Sequence, residues 1–479
     1  VKSFLNTSYL VNNSLDKEIA IQNLPTKVIQ FGTGVLLRGL IDDIIHNANL
    51  QGIFNGRVAL IKSTDGNPQE VQSFEEQDYL FTNGVRGIEN GETINFDYIN
   101  SSISALLSAK SKWNEVIQFG LSDDLEIIVS NTTESGLTYV EEQITEECPM
   151  SFSGKLCSML YQRFLNSKKG LIIIPTELLS DNGEIVKTNI LKLITHNNLG
   201  EDFYSWIVKE NKFCSSLVDR IVPGRPDAQA EVEWNDKLGY TDHLKFISEP
   251  FGLWAIKGDQ SVKDVCSFYQ CNEEVKIEED INIYKELKLR LLNATHSSLT
   301  AYAILSGFST VFEAMSDQSF KQYAEDLMAE EIGPGIPYEI DQNIKTTFAA
   351  SVIDRFSNPF LKHYWKDIAF NYTNKIGIRI VPVIVNYYQK NGELPVKLVE
   401  GIANYLSLYS QAKKTEEGYF VTVGNMTFKL NDEHVEIVIS AINQQETGLA
   451  KIFGNTTLWG ANLAEIPGFV SHTQSSMHQ

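Results

Sequence analysis

The chain has 479 residues, 43% of them hydrophobic, and a formal net charge of −21. That length supplies a large core and room for two domains or more. So acidic a balance lacks the basic face that nucleic acid or an anionic membrane demands and excludes both as partners; a small anionic substrate needs a local positive cluster to overcome the field.

Five cysteines, at 148, 157, 214, 266 and 271, give an odd count without a Cys-x-x-Cys pair. They read as reduced intracellular thiols, and no His/Cys set has metal-ligand spacing, so no metal is expected. Val1 to Leu10 lacks a basic-then-apolar leader, and no apolar run approaches membrane-spanning length. The expectation is a cytoplasmic protein, a monomer or small homo-oligomer, acting on a small molecule.

In chain order, Lys27 to Phe31 forms a short apolar run that ends in Gly32-Thr33-Gly34. An amphipathic segment follows, Val35 to Ala48, and then a second apolar run, Arg57 to Ile61. Strand, glycine turn, helix, strand is the opening of a dinucleotide-binding unit. Leu125 to Ser130 and Leu171 to Ile174 are short, β-branched and bounded by turn residues, as parallel strands covered on both faces should be. Lys245 to Trp254 adds further sheet. Asn272 to Asp280 is acidic and poor in large apolar residues, which places a domain boundary at 275/276. Helical patterns then run over 283–306, 309–331, 338–356, 372–389 and 396–411, and Val421 to Asn431 reads as a hairpin turning at Gly424-Asn425. The tail after Phe469 is polar and expected to be loose. The fold class is α/β: an N-terminal Rossmann-type doubly wound sheet, residues 1–275, followed by a mostly α-helical domain, residues 276–479.

Pyrophosphate needs close approach to backbone amides at a helix N-terminus, which glycine permits, so Gly32, Thr33 and Gly34 are candidate cofactor contacts. The third fingerprint glycine is replaced by Leu37, and Gly39 serves packing. Arg38, one turn on, neutralises phosphate or is a surface arginine. An acid after the second strand would take the adenosine ribose; Asp65 is available, while Lys62 and Ser63 suit a 2′-phosphate equally well, which leaves NAD or NADP open. Thr133, Glu134 and Gly136 follow a strong strand and meet the nicotinamide ribose or form an ordinary polar turn. Glu177, after the next strand, holds a substrate hydroxyl or caps a helix.

Lys288, Asn293 and His296 lie on a helix otherwise nearly all leucine. At about 100° per residue, Lys288, His296 and Asn293 fall at roughly 0°, 80° and 140°, inside one wedge. Leucines surround the axis, so burial of this helix is expected, and a buried ammonium is paired or shifted toward proton transfer. The alternative is a buried lysine paired with Glu286 or a carboxylate elsewhere, beside a satisfied core histidine; three convergent polar groups favour a catalytic site. Arg355, Lys362, His363, Lys375 and Arg379 gather five basic side chains in one region, either as solvated helix charges or as a carboxylate site.

Taken together, these segments resemble the polyol-specific long-chain dehydrogenase family, to which mannitol dehydrogenase belongs. The resemblance runs through Gly32-x-Gly34 with Arg38, Thr133-Glu134-x-Gly136, Asp219-Arg220-Ile221, Glu249-Pro250-Phe251, Lys288-x4-Asn293-x2-His296 and Arg355-Phe356-x-Asn358-Pro359, in the family's order. Within the family, Lys288 to Asn293, Asn374-Lys375 with Arg379 and Pro382, and Leu458-Trp459-Gly460 with Ile466 to Phe469 look most like its sugar-acid members. The resemblance implies an NAD(H)-dependent oxidoreductase acting on a sugar acid. It makes Lys288 the acid/base, Asn293 and His296 its substrate-facing partners, and Phe31 to Gly34 part of the cofactor site. Where the family has an Asp-Asn pair, this chain has Glu177-Leu178, and whether Glu177 takes over part of that role stays open.

Overall fold

The structure, a computed structural model, describes residues 3–63, 68–226 and 228–477. The chain divides into two compact units, the first comprising Val1–Arg86 and Ile94–Ile281 and the second Gly87–Thr93 and Asn282–Gln479.

The first unit is built on β1 (Thr26–Phe31), α1 (Val35–Leu50), β2 (Arg57–Lys62), β3 (Ile103–Ser108), β4 (Ile127–Ser130), α2 (Phe152–Leu165), β5 (Ile172–Pro175), α3 (Asn182–His196) and β6 (Lys212–Phe213). All pairings in this sheet are parallel, in the order β3-β2-β1-β4-β5-β6. Successive side chains of a strand point to opposite faces. Val28, Val58, Leu60, Ile127 and Val129 therefore pack with Leu40 and Ile44 of α1. Ile29, Phe31, Ile61, Ile128 and Ile173 pack on the other face with Leu156 and Leu160 of α2 and Ile190 of α3. Two-sided burial explains why β4 and β5 are unbroken Ile/Val runs. The strand order reverses between β1 and β4, and their carboxyl ends bring Gly32 and Asn131 side by side; Asn131 N–H donates to the Phe31 carbonyl at 2.9 Å. Such a reversal is where open α/β sheets bind dinucleotides.

The first unit runs past the expected 275/276 boundary because Val275–Glu278 pairs in parallel with Leu253–Lys257, so it closes at Ile281. Phe81–Glu89 and Glu92–Asn100, unread from the sequence, form a small sheet with Phe246–Ser248, and the tip between them belongs to the second unit.

The second unit is mainly helical around one core, with α4 (Thr295–Leu305), α5 (Gln342–Phe356), α6 (Tyr372–Arg379), α7 (Val381–Asn391), α8 (Val396–Ser410) and α9 (Phe469–Ser476). The segment expected as one helix over 372–389 is two, separated at Ile380, with Pro382 in the first turn of α7. Val423 pairs with Met426, so the hairpin does turn at Gly424-Asn425. The tail is not loose: α9 buries Phe469 and Thr473, four residues apart on one face. Among the described residues no helix is long and apolar enough to cross a membrane.

Candidate active site

Two sets of functional side chains stand out, one in each unit. In the first, Gly32 has φ +132°, and a Cβ there would lie 3.0 Å from both the Asn131 carbonyl oxygen and Leu37 Cδ1. Only glycine makes this turn. Gly34 is the N-cap of α1, and a Cβ there would meet nothing within 4 Å. The space beside Gly34 at the head of α1 is therefore open, and amides at a helix head suit an anion. Gly39 is a packing glycine, its missing Cβ facing Val222 and Phe246.

Thr133 takes φ +87°, a costly conformation for a β-branched residue. Its Oγ1 lies 3.0 Å from Ser135 Oγ, and Thr133 and Glu134 are both exposed at the end of β4. Strain of this kind gathers at ligand sites. The loop below is pinned by contacts that sequence reasoning did not find. Asn131 Nδ2 donates to Thr176 Oγ1 at 2.9 Å, and Thr176 Oγ1 donates to the Ser130 carbonyl at 2.7 Å.

Several expected contacts lie elsewhere. Phe31 is fully buried against Phe152, so only its backbone borders the turn. Arg38 is neither at the surface nor turned to a phosphate: it donates to the Leu244 carbonyl at 2.9 Å and lies over Phe74, Phe81 and Phe246. Glu177 does not cap a helix with its carboxylate. Its Oε1 accepts from Thr132 N–H and Oγ1, at 2.8 and 2.9 Å, and its Oε2 from Ser130 Oγ at 3.1 Å, fastening the β4 and β5 loops together. Asp65 lies outside the described residues, and Lys62 is ion-paired with Glu70. The Asp219-Arg220 and Glu249 motifs are structural: buried Arg220 binds Asp43 Oδ2 at 2.9 Å and the Glu249 carbonyl at 2.9 Å.

In the second unit, Leu287–Ala294 is a π-helix that runs into α4, so the α-helical wedge does not apply. Bonding from i to i+5 widens the turn and brings residues five apart over one another, and Lys288 and Asn293 are such a pair. Lys288 and Asn293 are half-buried rather than enclosed. Glu286 binds Arg290 Nε at 2.9 Å.

His296 is the buried member. Its ring stacks on Phe356 at 3.9 Å between centroids and meets His363 and Trp365 edge-on at 5.0 and 6.0 Å. Its Nε2 finds no hydrogen-bond partner among the described residues. Burial holds the ring well below the usual histidine range, and the charges of His363, Arg379, Arg355 and Lys375 push the same way. Arg379 donates to Ser297 Oγ at 3.0 Å and to the Asn293 carbonyl at 3.4 Å. Lys375, one turn earlier on α6, donates to the Ile368 carbonyl at 2.8 Å, and burial, with Arg379 beside it, lowers its ammonium to about 8. Arg355, His363, Lys375 and Arg379 thus converge on His296, whereas Lys362 is exposed and not among the groups acting on it. Ser297, Phe356 and Trp365 were missed as site-forming residues; Phe356, inside the Arg355-Phe356 motif, was the one with a sequence signal.

A doubly wound sheet with a clear glycine turn, paired with a helical unit carrying lysine, amide and imidazole, defines a dehydrogenase class. The family profile described as Mannitol dehydrogenase Rossmann domain matches residues 26–268, and that of the Mannitol dehydrogenase C-terminal domain matches residues 280–479. The chain belongs to the mannitol dehydrogenase family and is an oxidoreductase acting on CH–OH groups. It is 35% identical to an altronate oxidoreductase of Halalkalibacterium halodurans (strain ATCC BAA-125 / DSM 18197 / FERM 7344 / JCM 9153 / C-125) over 92% of this chain and 88% of that protein. It is 33% identical to the altronate oxidoreductase of Bacillus subtilis (strain 168), over 92% and 90%. Among solved structures, the fold matches Pseudomonas fluorescens mannitol 2-dehydrogenase in ternary complex with NAD and D-mannitol (TM-score 0.65, 20% identity, 96% of this chain and 92% of that one). It also matches a substrate-free D-sorbitol dehydrogenase (TM-score 0.75, 18% identity, 95% and 96%).

Proposed function

We propose that this enzyme interconverts D-altronate and D-tagaturonate with NAD(H), as a step of hexuronate breakdown. One observation carries the substrate class: the cations Arg355, Lys375 and Arg379 surround a neutral histidine whose Nε2 is unpaired. An unpaired buried acceptor or donor is costly in the protein alone. A sugar acid satisfies both features at once, its carboxylate taking the cations and a hydroxyl taking His296.

The glycine turn fits a dinucleotide: Gly32 holds the chain in a conformation barred to other residues, and the space beside Gly34 at the head of α1 is open. The backbone of Gly32, Thr33 and Gly34 would hold the pyrophosphate, with Thr133 and Glu134 toward the nicotinamide ribose. When bound, the nicotinamide supplies or accepts the hydride. In the reducing direction, protonated Lys288 gives its proton to the ketone oxygen as the C–H bond forms, and Asn293 steadies that oxygen with its amide N–H. In the oxidising direction neutral Lys288 takes the hydroxyl proton back.

The test follows NADH and NADPH oxidation in parallel, with tagaturonate and with fructose, which lacks the carboxylate. Tagaturonate is expected to exceed fructose in kcat/KM by about a hundredfold, the worth of one or two charge-assisted contacts, and NADH to exceed NADPH. Equal turnover of fructose would replace this reading with that of a polyol dehydrogenase.

A further inference from the structure

Gln30, next to last in β1, has a fully buried side chain. Its Nε2 donates to the Gly32 carbonyl at 3.2 Å and to Oδ2 of Asp42, on α1, at 3.3 Å. Both neighbours offer oxygen, which fixes the amide with its nitrogen toward them. The sheet does not need this side chain, because Gln30 keeps its ladder positions opposite Leu60 and Val129. The arrangement is also costly: among the described residues, Gln30 Oε1 and Asp42 Oδ1 are buried without partners.

What the contact achieves is to hold the Gly32 carbonyl inward. The peptide is trans, so its C=O and the following N–H point opposite ways, and Thr33 N–H is turned away from Gln30. Gly32, at φ +132°, is the residue in this turn freest to let that peptide rotate. Rotation would present a carbonyl oxygen, in place of an N–H, to an anion at the head of α1. We propose that Gln30, braced by Asp42, is a positioning residue that fixes the Gly32–Thr33 peptide for a dinucleotide pyrophosphate. This rests on the dinucleotide reading above.

The experiment measures NADH dissociation constants by fluorescence titration, with thermal unfolding and steady-state kinetics, for the wild type, Gln30→Met, Asp42→Leu and the double variant. Gln30→Met keeps the volume and removes the donor; it is expected to weaken NADH about tenfold, the scale of one hydrogen bond lost to an oriented peptide. At saturating NADH its kcat should stay within about twofold, since the proton-transfer residues are untouched. Because Asp42 acts through Gln30, Asp42→Leu, which removes the acceptor, should weaken NADH on its own and add nothing in the Gln30→Met background. A folded Gln30→Met with wild-type affinity, or strict additivity of the two changes, overturns the proposal. If Gln30→Met does not fold, Asp42→Leu decides: unchanged affinity rejects the brace, and weakened affinity with kcat retained supports it. Failure of the wild type itself to bind NADH overturns the dinucleotide reading, and this inference with it.

Discussion

At the scale of single residues, the proposed site divides into groups assigned to proton movement and groups assigned to holding charge. Lys288→Ala removes the proposed proton donor and leaves the glycine turn intact. Turnover should fall by about three orders of magnitude or more while the NADH dissociation constant stays put. Activity within about tenfold of wild type would disprove the proton-transfer role. Lys375 belongs to the charge-holding group, and burial lowers its ammonium to about 8. It is charged below that pH and neutral above it, so its attraction for a carboxylate is present at pH 7 and lost as pH rises through 8. In the free enzyme, kcat/KM for the sugar acid should therefore decline on an alkaline limb near pH 8, and Lys375→Arg should move that limb to higher pH. A pH–rate profile with the same limb in both enzymes would remove Lys375 from substrate binding.

Elements decide whether those residues arrive in place. α6 carries Lys375 and Arg379, yet its N-cap, Asn371, sits at φ +49° and offers no side-chain cap. Asp432 does the capping from 59 residues away: its Oδ2 accepts from Thr373 N–H and Oγ1, both at 2.7 Å, and from the Tyr409 hydroxyl at 2.6 Å. Asp432→Ala takes the acceptor from the buried Thr373 N–H and Tyr409 hydroxyl and should cost about 3 kcal/mol in denaturant unfolding. It should also raise KM for the sugar acid several-fold without changing NADH affinity, since the glycine turn lies in the other unit. A folded variant with unchanged KM would show that α6 holds its place without Asp432. None of this was legible beforehand, because nothing near Asn371 in sequence signals a distant cap. The parts that could be read are those where chemistry sits in contiguous residues: the Ile/Val runs of β4 and β5 and the turn at Gly32-Thr33-Gly34. The widened turn over Leu287–Ala294 escaped because its residues carry ordinary α-helical propensity. Arg38 was misread for a related reason. A cation one turn into α1 looks like a phosphate ligand until three phenylalanines, drawn from residues 74, 81 and 246, are seen to enclose it. The α9 tail was hidden by its polar composition, with only Phe469 and Thr473 marking a buried face.

For the molecule as a whole, a net charge of −21 opposes the local cations that we assign to the substrate. The two fields act over different ranges. Arg355 is buried, and Lys375 and Arg379 are partly so, which protects their short-range pull from dissolved ions. The surface charge acts through water and is screened over about 30 Å at 0.01 M salt but about 8 Å at 0.15 M. Adding salt therefore weakens the long-range repulsion of a sugar-acid anion more than it weakens the contact that binds it. With NADH saturating throughout, kcat/KM for tagaturonate should rise about two- to fivefold between those ionic strengths. The value for neutral fructose should barely move. Stopped-flow or initial-rate measurements at low substrate across a sodium chloride series would check this. A steady fall in the tagaturonate value with salt would mean that the positive cluster reaches past the acidic surface and draws the substrate in.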